Sequence, residues 1–171
     1  MQLGFIMIEA AGSRRQHWSS VLIKNFLDAI SGVFGFWIVG FGLAFGPADS
    51  SGFIGLSDST FSFSAGFNSY KIEDLNLKWI FQFAFANTSS AIVSGLLMER
   101  CRIETYGAFS FLITFFIYPI VAGWEWNPSG WLAVRGFHDF AGCAAIHTLG
   151  GMLGFVGTIM CGPRYNLFQG V

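Results

Sequence analysis

Residues 140–161 read FAGCAAIHTLGGMLGFVGTIMC. The stretch is apolar and reaches the roughly 20 residues that a helix needs to cross a bilayer. One ionisable side chain, His147, lies inside it. Such a group is expensive in hydrocarbon, so by default it faces a cavity or pathway and marks a functional site. Helical steps of three and four from His147 reach Cys143, Ala144, Gly150, Gly151 and Gly154, all small. The imidazole therefore sits on a face with little side-chain bulk. That face suits close helix packing or a narrow passage. The plainer reading is a histidine bonded to a neighbouring helix.

Working outward, the chain holds three more stretches of this kind, at roughly 21–45, 79–98 and 105–123. Composition agrees. Hydrophobic residues make up 53% and charged residues only 11%, against about 25% charge in soluble domains. The 22 glycines suit helices that approach closely within a membrane. The expected fold is an all-α, polytopic, multi-pass membrane helix bundle forming one domain over 1–171. Lys24 and Asp28 fall in the opening turns of the first long stretch, where long or polar side chains can reach the interface.

Charge sets orientation and excludes one class of partner. Arg14, Arg15, Lys24, Arg100, Arg102 and Arg164 flank one end of the spans, and Lys71, Lys78 and Arg135 the other. This bias places the first set in the cytoplasm. The segment at about 47–76, rich in Ser, Gly and Phe, is then an extracellular loop. Asp139, Glu125, Trp124, Trp126 and Trp131 collect at the outer side. The net charge of -1 leaves no basic patch for a nucleic acid.

Three cysteines, Cys101, Cys143 and Cys161, form no ligand pattern. Neither a disulfide nor a metal or other cofactor is inferred. Cys101 lies beside the membrane, where thiols can be palmitoylated, but a plain thiol is the simpler reading. Asn87-Thr88-Ser89 is a formal glycosylation sequon buried in a span and is discounted. Residues 3–8 are apolar and too short to span. They lack the charged lead of a signal peptide and read as the last turns of a membrane helix.

The strings GFIMIEA, RR followed by VLIKNFLDA, FWIVGFGLAFG, FQFAFANTSSAIVSGLLMER and GFHDFAGCAAIHTLGG together resemble the ammonium transporter (Amt/Rh) family, particularly its Amt branch. The last two are the most specific. Ala11 stands where the family usually has the glycine of an EAG string. The resemblance implies transport of ammonium or ammonia through a gated hydrophobic pore, with no enzymatic activity, in the plasma membrane, as a homotrimer. It also implies residue roles. Phe85 is similar to the phenylalanine at the pore gate, and Phe81 to a vestibule aromatic one turn above. Trp126 is similar to the vestibule tryptophan that holds the cation, with Trp124 a weaker candidate. Asp139 is similar to the acid that organises the vestibule, and His147 to the first of two pore histidines.

Each role has a plainer alternative. Phe81 and Phe85, at i and i+4, could face lipid. Trp126 could be an interfacial anchor. Asp139 could be only a helix N-cap. Family members have about eleven spans in two inverted repeats. This chain resembles the end of their first span plus spans two to five, a partial first repeat. The expectation is therefore a fragment of a transporter. Alternatives are a truncated, non-transporting membrane protein that associates with full-length relatives, and an Rh-type gas channel.

Overall fold

The computed structural model describes residues 2–47, 50–55 and 72–164. Among them the regular elements are all helical. Helix α1 is Gln2–Gly12, and α2 runs over Arg15–Phe45. Helix α3 is Ile72–Leu96. Helix α4 covers 103–126 in three consecutive pieces, Ile103–Leu112, Ile113–Ile117 and Tyr118–Trp126. A single turn, α5, follows at Trp131–Val134, and α6 is Cys143–Cys161.

Three described helical segments are long and apolar enough to cross a membrane: Arg15–Phe45, Ile103–Val134 and Cys143–Cys161. The fourth expected span, α3, has the length, at 25 residues. Its middle carries Gln82, Asn87, Thr88, Ser89, Ser90 and Ser94, all buried. Helix α3 packs against α1, α2, α4 and α6. Its polar residues therefore face protein, and neighbouring helices supply the apolar surface. It begins at Ile72, so the outer loop ends before residue 76 and its expected last turn is helical. Much of the rest of that loop, at 56–71, lies outside the described residues.

Helices α2 and α4 cross closely because small residues line the contact. A methyl group at Gly35 or Gly40 would collide with Thr114, and one at Gly32 with Asn87. Both helices widen to a π-turn at the crossing, over Phe36–Gly40 in α2 and Ile113–Ile117 in α4. In α4 the widened turn ends two residues before Pro119, which cannot donate a backbone bond. Phe36 fills the outer half of the core, with ring centroids 5.9 Å from both Phe41 and Trp79 and 6.2 Å from Tyr118.

Lys24 and Asp28 do not reach the interface, contrary to expectation. They are 3% and 1% exposed. Glu9 of α1 takes both Lys24 Nζ, at 2.5 Å, and Asn25 Nδ2, at 2.7 Å, on its Oε2. Lys24 Nζ also donates to Ser94 Oγ, and Ser94 Oγ donates to Glu9 Oε1. Ser90 Oγ donates to Asp28 Oδ1 at 2.6 Å. A buried charge is tolerable when it is paired and its remaining lone pairs are bonded. Here α1 supplies the counter-charge and α3 the hydroxyls, while Asp28 Oδ2 has no hydrogen-bond partner among the described residues.

At this same end the chain is cross-tied. Glu99 sits in the left-handed region at φ 61. Its Oε1 accepts from the Arg14 N–H at 3.1 Å and bonds His17 Nδ1 at 3.0 Å; Arg164 lies 3.7 Å from Oε2. Partial burial pushes the Glu99 carboxyl up, but the His17 bond, the Arg14 amide and the Arg164 charge outweigh it, leaving it below the usual range. Arg100 donates to the Gly162 carbonyl. Arg14, Arg100 and Arg164 therefore gather at one end of the bundle.

Candidate functional site

At the opposite end, α6 begins on a carboxylate. Oδ1 of Asp139 accepts from the backbone N–H groups of Ala141, Gly142 and Cys143, at 3.3, 2.8 and 2.9 Å. Its Oδ2 accepts from Ala144 and Ala145, at 2.8 and 3.2 Å. Free N–H groups and the positive helix end both favour an anion there. Burial would raise the Asp139 carboxyl, but the amides of Ala144, Ala145, Cys143 and Gly142 hold it below its ordinary value. Gly142, at φ 86, makes the tight turn that wraps the chain over the carboxylate; a side chain there would strike Ile146.

Asp139 is linked directly to Trp126. The indole Nε1 donates to the Asp139 carbonyl at 2.8 Å. The Trp126 ring centroid lies 5.7 Å from that of Phe85, and Phe85 lies 4.6 Å from Phe81. Phe81 is exposed, whereas Phe85 and Trp126 are half-buried. Four of the five expected residues therefore form one contact chain at the end of α3, α4 and α6 opposite Arg14, Arg100 and Arg164. Trp124 lies apart from it. Its Nε1 donates to the Phe53 carbonyl at 2.9 Å, and its ring packs on Phe53 and Trp131.

His147 stands lower on α6. The helix is a π-turn over Cys143–Thr148, and the His147 N–H bonds the Gly142 carbonyl five residues back, at 3.2 Å. Widened turns of this kind recur at functional sites because they re-aim a side chain. The imidazole is exposed and bonds to no other side chain among the described residues. The reading of a histidine bonded to a neighbouring helix therefore does not hold within the described residues.

The small residues around His147 divide between two faces. Gly150 packs on Ser89 and Ile92, Gly154 on Leu96, and Gly157 on Leu97, all in or beside α3. Gly151 faces open space, and Cys143 is exposed. Helix packing uses one edge of the stripe, and the edge holding Cys143, His147 and Gly151 is open. Three of the buried polar residues of α3, Gln82, Ser90 and Ser94, bond neighbouring helices, whereas Thr88 bonds its own helix and Asn87 Oδ1 and Ser89 Oγ have no hydrogen-bond partner among the described residues. Gln82 Oε1 accepts from the Tyr118 hydroxyl at 2.8 Å, and Ser90 bonds Asp28.

Glu125, placed by its sequence only among the acids of that end, belongs to this site. Glu125 is 7% exposed and faces the Asp139 carboxyl, and its Oε2 has no hydrogen-bond partner. It stands between Trp124 and Trp126, and that Trp-Glu-Trp run was its only sequence signal. No group of His, Cys, Asp and Glu among the described residues could hold a metal ion.

Comparison with known proteins places this arrangement. The model of the Ammonium Transporter Family matches residues 1–170. Ammonium transporter 1 member 3 of Solanum lycopersicum is 38% identical over 185 residues, covering 99% of this chain and 37% of that protein. Ammonium transporter Amt2 of Archaeoglobus fulgidus is 37% identical, covering 99% and 37% respectively. The solved structure of a Sensor Amt Protein superposes with a TM-score of 0.86 at 32% identity, covering 97% of this chain and 42% of that one. The chain thus spans over a third of the length of these curated relatives.

Proposed function

Since this chain belongs to the ammonium transporter family, a family of membrane transporters rather than enzymes, we propose that it supplies one wall of a path for ammonium and ammonia. Phe81, Phe85, Trp126 and Asp139 are its outer mouth, and His147 lines the passage below. The observation that carries this reading is the position of His147. Its imidazole stands bare on the open edge of α6, on the helix whose start Asp139 holds.

The chemistry follows from the cost of charge in hydrocarbon. Ammonium is a small cation, and an indole face attracts it by about 0.5–2 kcal/mol depending on desolvation. Trp126 is suited to that task because its N–H is anchored on Asp139, which fixes the ring. A bare cation entering an apolar passage meets a large desolvation penalty. Loss of a proton at the mouth leaves ammonia, for which the penalty is far smaller. His147 can donate or accept a hydrogen bond along the way. The open edge beside Cys143, His147 and Gly151 needs a facing wall, which a further segment of a longer protein or a full-length relative would provide. The plasma membrane and a homotrimer are the setting this reading implies.

A second reading rests on the same open edge. Phe140, Met152 and Phe155 near it are 93%, 57% and 59% exposed, a surface that also suits association with a relative without conduction. One experiment separates the two. Cells lacking their own ammonium uptake express the protein that carries these residues, alone and with His147→Ala. Uptake is followed against ammonium concentration and normalised to membrane-delivered protein. Uptake that depends on His147 supports the conducting path. Normal delivery with no uptake from either variant supports the non-transporting reading.

A further inference from the structure

The cytoplasm-directed ends of α3 and α6 meet at two cysteines that the sequence reading left apart. Cys101 Sγ lies 3.2 Å from Cys161 Sγ, across 60 residues of chain. Both are free thiols. Contacts of side chains with the neighbouring backbone hold the approach in place. Thr158 Oγ1 donates to the Leu96 carbonyl at 3.4 Å, Gly157 packs on Leu97, and Arg100 donates to the Gly162 carbonyl. Arg164 adds its charge to Glu99 at 3.7 Å. These ties act within five residues of the cysteines, and Arg100 and Gly162 adjoin Cys101 and Cys161 directly, so the sulfurs meet without rearrangement of either helix end.

We propose that Cys101 and Cys161 form a reversible intrachain disulfide, a redox modification site that staples the α3–α4 turn to the inner end of α6. The oxidant is of the peroxide class. Cys161 is exposed and meets it first. Its thiolate attacks one peroxide oxygen, the O–O bond breaks, and water leaves after protonation, giving a sulfenic acid. Cys101 sulfur then displaces the hydroxyl as a second water, and the S–S bond forms. Two thiols lose two protons and two electrons, and one peroxide becomes two waters. A small-molecule thiol reverses the step by exchange. Burial and the bond to Cys161 push the Cys101 thiol up to about 11, which suits the order in which Cys161 reacts first. The pair stays reduced while glutathione is reduced, as expected at a cytoplasmic face.

The test uses the protein in its own membranes, with Cys143→Ser as background. Membranes are treated with hydrogen peroxide, free thiols are blocked with N-ethylmaleimide, disulfides are reduced, and released thiols are captured with a maleimide–polyethylene glycol. Oxidation should add two tags to each chain, with no chain-to-chain dimer before reduction. Cys101→Ser and Cys161→Ser should each add none. Proteolysis of the oxidised parent protein should yield a Cys101–Cys161 linked peptide by mass spectrometry, a readout that needs no cysteine variant. Absence of that peptide at peroxide levels that oxidise an exposed control thiol overturns the proposal. So does a disulfide found only between chains. Neither readout depends on ammonium transport.

Discussion

Trp126 and Asp139 are joined through the indole N–H and the Asp139 backbone carbonyl, at 2.8 Å. The aromatic residue that faces Phe85 is thus tied to the residue that starts α6. Orientation of the ring and the start of the helix are one arrangement. Trp124, two residues earlier, bonds instead to the outer loop at Phe53.

Trp126→Leu should therefore weaken recruitment of dilute ammonium more than the maximal rate. Loss of a cation–π contact of about 0.5–2 kcal/mol corresponds to a roughly 2- to 30-fold higher half-saturating concentration. Trp124→Leu should leave that concentration nearly unchanged. Concentration-dependent uptake of both variants is the check. Equal shifts from the two would remove the distinction drawn between them.

Asp139→Ala should destabilise the fold by about 0.5–2 kcal/mol, the usual range for a lost N-terminal cap. Alanine presents no oxygen to the amides that now share two carboxylate oxygens. The folded carboxyl is held below its ordinary value. Its contribution is therefore full above the unfolded value of about 3.9 and fades as pH falls through the folded one. Thermal unfolding in detergent should show a gap between parent and variant at pH 7 that narrows in strong acid. A gap that widens there would contradict the cap.

Lys24→Met alone should be severe, costing about 3–5 kcal/mol, because Glu9 would remain buried without its counter-charge. Combining it with Glu9→Gln should recover most of the loss. Unfolding midpoints of the single and double variants measure this. An additive double variant would mean that the two side chains act separately.

Orientation has its own test. With Cys143→Ser as background, a cysteine at the exposed His138 should react with an impermeant thiol reagent on intact cells. Cys101 and Cys161 should react only after permeabilisation, since they share the end where Arg14, Arg100 and Arg164 gather. The reverse pattern would invert the topology.

The long apolar runs and the position of Asp139 before α6 were legible because both are local. Hydropathy needs only neighbours in sequence, and a cap acts within its own turn. Lys24 and Asp28 were misplaced because their partners Glu9, Ser90 and Ser94 come from other helices, up to 70 residues away. The same distance hid Cys101 from Cys161. His147 stood out from its surroundings alone, but which edge of the glycine stripe packs was decided by α3. Glu125 looked like an ordinary outer acid until the fold set it against Asp139.

The Glu9–Lys24 pair also bears on assembly. Helix α2 carries an ammonium group that hydrocarbon would reject, and the carboxylate that cancels it resides on α1, 15 residues earlier. The two helices therefore enter the lipid most readily together, with Lys24 already paired to Glu9. Glu9 on residues 2–12 acts as a built-in counterion to Lys24, from a helix that need contribute nothing to the passage itself.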